Sequence, residues 1–415
     1  MSGRPDRRSA IVGLAEPVDR QVGGHVLGVL AVLMGFASIS TDFYLPAMPA
    51  MADGLGASHG LVELTITGYL IGFSVGQLFW GPVSDRYGRR VPVAAGIALF
   101  IAGSAGCALA GSVEAMIGWR VVQALGAAAG VVIARAVVRD LFEGSRAARM
   151  LSTLMVIMAI APLIGPVVGA QVAAMAGWRA IFWLLVAIGF VSLALLFTIP
   201  ETLAPDRRRR DGLGRALAGY ARLLTHPQLL AYTSAGGFYY AGMFAYIAGS
   251  PFAYITYHHV PAGYYGLLFG AGILGIMTTN LVNSRLVGRF GSDRLLILGG
   301  TLAALAGSVS AVAAYTDVGG LWGLFVPLFV FISCSGLIVA NSVAGALGGF
   351  PAEAGAVSAL VGALQYGSGI AGSGLVGVFA DGTPRPMGWV IGLAGIGTVA
   401  CAATLGRMPR SGQAA

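Results

Sequence analysis

Lysine is absent from the chain, and only 17 of 415 residues are acidic, so charged residues of all kinds reach just 10%. With 57% hydrophobic residues and a mean hydropathy of +0.81, so little charge excludes a soluble domain of this size. Cysteine is scarce as well. Cys107, Cys334 and Cys401 lie far apart in apolar runs, without metal-ligand spacing, and read as small core residues. The polar segments between apolar runs are too short to build an active site. They hold no Gly-rich phosphate loop, nucleophile–base pair or metal cluster, which excludes an ATPase and any cofactor-dependent enzyme. A cleavable secretory signal is not expected either, because the first apolar run is long and carries Asp42.

What the chain has in quantity is long apolar runs. Stretches near ~20 residues, the length that crosses a bilayer as a helix, occur at 24–48, 60–80, 91–110, 113–137, 151–173, 179–199, 229–253, 263–284, 294–314, 320–345, 355–379 and 387–406. A barrel would show short alternating segments instead. The expected fold class is an all-α polytopic membrane protein with twelve transmembrane helices. The net charge of +8 follows the same bilayer: all 25 basic residues are Arg, and all but Arg120, Arg179 and Arg385 fall on one side if both termini are cytoplasmic. That asymmetry predicts an N-in, C-in topology. It accounts for the basic balance through lipid orientation, with no nucleic-acid partner.

The longest polar segment, 201–228, contains Arg207–Arg210 and Arg215 and divides the spans six and six. The expected organisation is a cytoplasmic tail over 1–23, a six-helix bundle over 24–200, a cytoplasmic linker over 201–228, a second bundle over 229–406 and a tail over 407–415. A weak repeat agrees with this division. Asp85-Arg86-Tyr87-Gly88 after the second span is echoed by Gly288-Arg289-Phe290-Gly291 after the eighth, 203 residues later. Parallel repeats with the substrate site between the halves are a transporter architecture.

Several residues stand out against the apolar background. Asp42 follows the uncharged run Val26–Ile39, and a carboxylate at membrane depth costs roughly 2.5–3.5 kcal/mol, so it faces a cavity and has a task. Pro46 and Pro49 deny hydrogen bonds to the carbonyls of Asp42 and Leu45. Backbone loosened in this way is tolerated at depth only where protein or a water-filled cavity covers it. Arg120 is the one cation deep in any span, shares a helix face with Gln123, Ala124 and Ala127, and needs an acceptor. Asp42 is the most economical one. Glu63, in a first helical turn, is a second candidate for protonation. Gly68, Gly72 and Gly76 form a smooth strip for close helix packing. Candidate cavity residues are Tyr44, Gln123, Tyr240, Phe244, Asn341 and Gln365, the aromatics suited to stacking on planar compounds and the amides to bonding between helices.

Three strings resemble the signatures of a known family. Gly81-Pro82-Val83-Ser84-Asp85-Arg86-Tyr87-Gly88-Arg89-Arg90 is similar to motif A of the major facilitator superfamily, Trp119–Gly126 with its Arg120 to motif B, and Ala161–Ala170 to the antiporter motif C. Motif C usually has Gly where this chain has Ala161 and Ala170. Thr41–Pro49, Gly76-Gln77-Leu78, Trp178–Trp183 and Ala241–Phe252 narrow the resemblance to the Bcr/CflA drug-resistance transporters. The resemblance covers every span. It implies an inner gate in which Gly81, Asp85, Arg86, Gly88 and Arg89 latch onto the ends of the fourth and eleventh spans, with Arg135 and Arg139 as partners. In the motif C string Ala161, Gly165 and Gly169 make a groove, while Pro162 and Pro166 favour a bend. The resemblance ties this motif to export, and it implies proton coupling through Arg120, which in the superfamily also bonds to backbone or polar groups of the first span. The implied function is drug:proton antiport out of a bacterial inner membrane, by a monomer that uses the proton gradient and no cofactor. An exporter of amino acids or other metabolites is the alternative within transport, and a non-transporting sensor the alternative outside it.

Overall fold

A computed structural model describes residues 16–142, 144–208, 213–350 and 353–405. Residues 1–15 of the expected N-terminal tail and the whole expected C-terminal tail, 407–415, lie outside the described residues. No strand occurs among the described residues. The helices are α1 Glu16–Asp42, α2 Met48–Leu55, α3 His59–Tyr87, α4 Arg90–Leu109, α5 Val113–Leu141, α6 Gly144–Ala176, α7 Trp178–Leu196, α8 Leu213–Leu223, α9 Pro227–Pro251, α10 Ala262–Phe290, α11 Ser292–Thr316, α12 Gly320–Ser333, α13 Ser335–Gly348, α14 Ala354–Val378 and α15 Arg385–Leu405. Helix α1 is already formed at Glu16, inside the stretch expected as a tail, and the linker carries α8. Among the described residues, ten helical stretches are long and apolar enough to cross a membrane. Helices α9 and α14 are 25 residues each and fall outside that group. Their Gly, Ser, Tyr and Gln residues face protein instead of lipid, where small and polar groups are useful.

The first span is the element whose course differs most from an uninterrupted helix. It stops at Asp42, passes through a 3-10 turn at Leu45–Ala47 and resumes as α2. Pro46 and Pro49 are the cause, since neither offers an N–H to the preceding turn. Tyr44, Leu45, Ala47 and Met48 in the break are no more than 1% exposed, so protein covers the loosened backbone.

The glycine strip of α3 works as expected. A Cβ on Gly72 would lie 2.1 Å from the Val121 carbonyl oxygen, and one on Gly76 2.5 Å from Ala128 Cβ, so α3 lies against α5 with almost no side chain between them. The chain's halves meet along two helix pairs, α3 with α14 and α6 with α10. Ser74 Oγ donates to the Ala363 carbonyl at 2.8 Å, and Thr67 and Ser373 hydroxyls meet at 2.8 Å, tying α3 to α14 at depth. At one end of this seam the His59 ring stacks on Phe252 at 4.4 Å. At the other, Arg-rich end a cavity of about 680 Å³ opens between the halves, lined among others by Asp85, Arg89, Arg139, Asp140, Tyr220 and Ala356.

Candidate functional site

Ending α1 at Asp42 leaves its final carbonyls without intrahelical partners. The carbonyl of Ile39 takes the N–H of Phe43 at 3.2 Å. That of Ser40 accepts instead from Arg120 Nη1 at 2.8 Å. Arg120 is wholly buried. Its Nη1 also donates to Gln123 Oε1 at 2.5 Å, and Gln123 Nε2 donates to Ser104 at 2.8 Å. The rings of Tyr44 and Tyr69 flank the guanidinium at 4.3 and 4.4 Å. This cation–π sandwich is the main compensation for a desolvated charge whose Nε and Nη2 find no hydrogen-bond partner among the described residues. No ion pair joins Arg120 to Asp42; in the first span its acceptor is the Ser40 backbone carbonyl, the arrangement the family resemblance also permits. Tyr44 and Gln123, expected in the substrate cavity, are both fully buried in this cluster inside the N-terminal half.

Asp42 is 5% exposed, and the hydrogen bond described to its carboxylate comes from Thr41 Oγ1 at 3.2 Å. Its electrostatic neighbours include Tyr69 of α3, Tyr265 of α10 and Tyr366 of α14, so it sits at the seam of the two halves. The motif C face of α6 packs on this same point. A Cβ on Gly165 would meet Asp42 Cβ at 3.0 Å, and one on Gly169 would lie 1.7 Å from the Phe43 carbonyl oxygen. The groove expected from Gly165 and Gly169 thus receives the broken end of α1, while α6 remains one helix through Pro162 and Pro166.

The other expected cavity residues divide. Tyr240, Phe244 and Tyr366 form an aromatic cluster with centroids 5.6–6.0 Å apart. Asn341 is buried and donates to Asn283 Oδ1 at 2.6 Å, a bond between α13 and α10. Gln365 is buried against Gly236 of α9, and its Nε2 finds no partner among the described residues. Glu63 lies at the closed end beside His59 and Phe252, 4% exposed, with Oε2 unpartnered.

The motif A loop is an ion-pair network. Arg89 bonds Asp85 at 2.7 Å and, at the end of α5, Asp140 at 2.7 Å. Gly88 takes φ +90°, which favours glycine, and a Cβ there would lie 2.7 Å from Glu201 Oε2. Two expectations are corrected. Arg135 does not pair with Asp85, which is engaged within its own loop by Arg89. Arg86 is exposed and lies over its neighbour Tyr87, latching onto neither helix end. Toward α14 the network stops at the cavity.

Asp140 and Glu201 were not anticipated. Each is an acid beside a basic run, and that juxtaposition is the signal the sequence offered. Glu201 accepts from the backbone N–H groups of Arg89 at 2.8 Å, Arg90 at 3.0 Å and Leu203 at 3.0 Å, capping α4 from the linker. Partial burial pushes its pKa up, but these donors, with Arg208 nearby, outweigh that and hold it below its ordinary value. A depressed carboxylate contributes stability that is full above about pH 4.3 and is lost as pH falls through its folded pKa. Wild type is therefore expected to lose more melting temperature than Glu201→Gln when acidified from about pH 5 to about pH 3. Parallel losses would show that the cap carries no charge-dependent stability.

Known proteins share both sequence and fold with this arrangement. An uncharacterized MFS-type transporter, YdgK, of Bacillus subtilis is 34% identical over 90% of this chain and 92% of its own length. The bicyclomycin resistance protein homolog of Haemophilus influenzae is 29% identical, covering 88% and 91%. The chloramphenicol resistance protein of Pseudomonas aeruginosa is 34% identical, covering 78% and 77%. Among solved structures, a partially occluded inward-open xylose transporter XylE of Escherichia coli superposes with a TM-score of 0.73 at 15% identity, over 95% of this chain and 99% of that one, a likeness of fold alone. The Major Facilitator Superfamily model matches residues 30–373. By that match and by these relatives the chain belongs to the Major Facilitator Superfamily, and it is a multi-pass membrane transporter of the drug-resistance type, not an enzyme.

Proposed function

We propose that this protein is a proton-coupled exporter of small amphipathic antibiotics, working by drug:proton antiport and alternating access. In this reading twelve spans form two six-helix bundles with both termini cytoplasmic, in a bacterial inner membrane, as a monomer without cofactor. The observation that carries the reading is the placement of Asp42, a buried carboxylate with no ion-pair partner among the described residues, at the break in α1 where the halves meet. A charge there is costly to bury unpaired, so gaining or losing a proton changes which packing of the halves is favoured. Entry of a proton from outside releases the drug, and its loss inside readies the site for reloading. One charge crossing the membrane supplies roughly 2.3 kcal/mol per 100 mV, about 50-fold accumulation of a neutral compound. The names of the relatives support drugs as substrates, and Glu63 is the second acid considered.

The test is substrate-induced proton release in inverted membrane vesicles with chloramphenicol-like and bicyclomycin-like compounds. A compound is expected to dissipate the pH gradient with wild type and not with Asp42→Asn. An equal response from both would remove Asp42 from the coupling mechanism and turn attention to Glu63. No response to any compound would sink the exporter reading.

A further inference from the structure

Resting on the exporter reading, we propose that Arg135 is the anion-recognising end of the substrate site. The compounds bound best carry an acidic group on a planar aromatic body.

Arg135 lies one turn deeper in α5 than Arg139. No carboxylate pairs with it among the described residues, and its Nε is buried without a hydrogen-bond partner. The acids around it are already engaged. Asp85 and Asp140 are bonded to Arg89, and Glu353 pairs with Arg222. A half-buried cation without a partner has lost part of its hydration, and an arriving anion offsets that loss. A cavity also lies beside it. Val132, Ala136 and Arg139, which flank Arg135 on its helix, line the 680 Å³ cavity at the Arg-rich end. The two arginines, one above the other, give the inner part of that cavity a positive potential that draws anions inward.

The groups opposite Arg135 define the rest of the ligand. Its electrostatic neighbours, apart from Arg139, are Tyr366 of α14 and Tyr240 of α9. Both rings are half-buried and pack edge-on against each other with centroids 5.6 Å apart. Phe244 closes the cluster on one side, and Phe73 stands 4.5 Å from Tyr366 on the other. A guanidinium beside an aromatic wall suits a carboxylate held by its two oxygens, with the attached ring system against the tyrosines. Tyr366 is an electrostatic neighbour of Asp42 as well as of Arg135.

Equilibrium binding of 2-naphthoate and its uncharged amide to the purified full-length protein in detergent tests the assignment. Wild type is expected to bind the acid about tenfold or more tighter than the amide, as a charge-assisted hydrogen bond implies. Arg135→Gln should bind both alike, Arg135→Lys should keep a reduced preference, and Tyr240→Leu should weaken both ligands equally. Equal binding of acid and amide by wild type overturns the proposal, as does a preference that survives in Arg135→Gln. The wild-type comparison decides even if a variant fails to fold. The outcomes also separate this inference from the exporter reading. Proton release driven by neutral drugs, with no preference for the acid in binding, defeats the inference alone. Arg135-dependent acid binding with no proton release by any compound defeats the exporter reading alone.

Discussion

Replacing Gly169 with Ala abolishes transport and destabilises the protein by about 2–3 kcal/mol or more. The added Cβ would lie 1.7 Å from the Phe43 carbonyl oxygen and 2.6 Å from its carbon, atoms of the backbone that no rotamer change can move aside. Relief requires the broken end of α1 to withdraw from α6. That withdrawal also displaces Asp42, so under the proposed mechanism transport suffers beyond the loss of packing. Gly165→Ala is the control. Its Cβ would meet Asp42 Cβ at 3.0 Å and the Phe43 ring at 3.2 Å, contacts over 1 Å longer than the one at Gly169, so its effect is expected to be the smaller of the two. Melting in detergent and drug-stimulated proton release, measured for both variants, check the pair. A Gly169→Ala protein as stable and active as wild type would show that α1 and α6 do not close on each other at this point.

Arg120→Ala is expected to cost about 3–5 kcal/mol, for three separable reasons. It strands the Ser40 carbonyl in a dry interior, removes the acceptor's partner at Gln123, and leaves a void between the rings of Tyr44 and Tyr69. Arg120→Lys recovers part of this, because one ammonium can reach an acceptor but cannot span both while lying flat between two rings. Ser40→Ala separates the causes. It deletes a hydroxyl that bonds Tyr69 at 2.7 Å but keeps the carbonyl that Arg120 uses, so its effect should be small. Folded yield and melting temperature of the three variants provide the comparison. Wild-type stability in Arg120→Ala would show that the cation serves only the transport step.

The helical class and the family were legible because they rest on properties that survive without coordinates: run length, the placement of Arg, and the strings around Asp85, Arg120 and Gly165. The glycine strip of α3 was legible for the same reason, since i, i+4 spacing dictates a shared face. The partner of Arg120 was not. Besides Gln123 on its own helix it is a main-chain oxygen, which every residue possesses, and the interruption of α1 leaves the one at Ser40 vacant. Pro46 and Pro49 gave notice of that interruption, although not of which carbonyl it would free. Tyr69 and Tyr366 escaped notice because a tyrosine in an apolar run looks like packing until its neighbours are known. Tyr44 and Gln123 were placed in the cavity by an aromatic ring and an amide, yet both groups are spent on burying a cation.

The contact between Ser40 and Arg120 spans 80 residues of sequence and therefore has an order in time. Synthesis proceeds from the N-terminus, so α1 is in place, its end already interrupted by the prolines, before α5 leaves the ribosome. The arginine, roughly 2.5–3.5 kcal/mol unfavourable at mid-membrane when alone, thus enters a bilayer where an oxygen and two rings already await it. Had the interruption been encoded in a later span, the same residues would have had to insert as an unpaired charge.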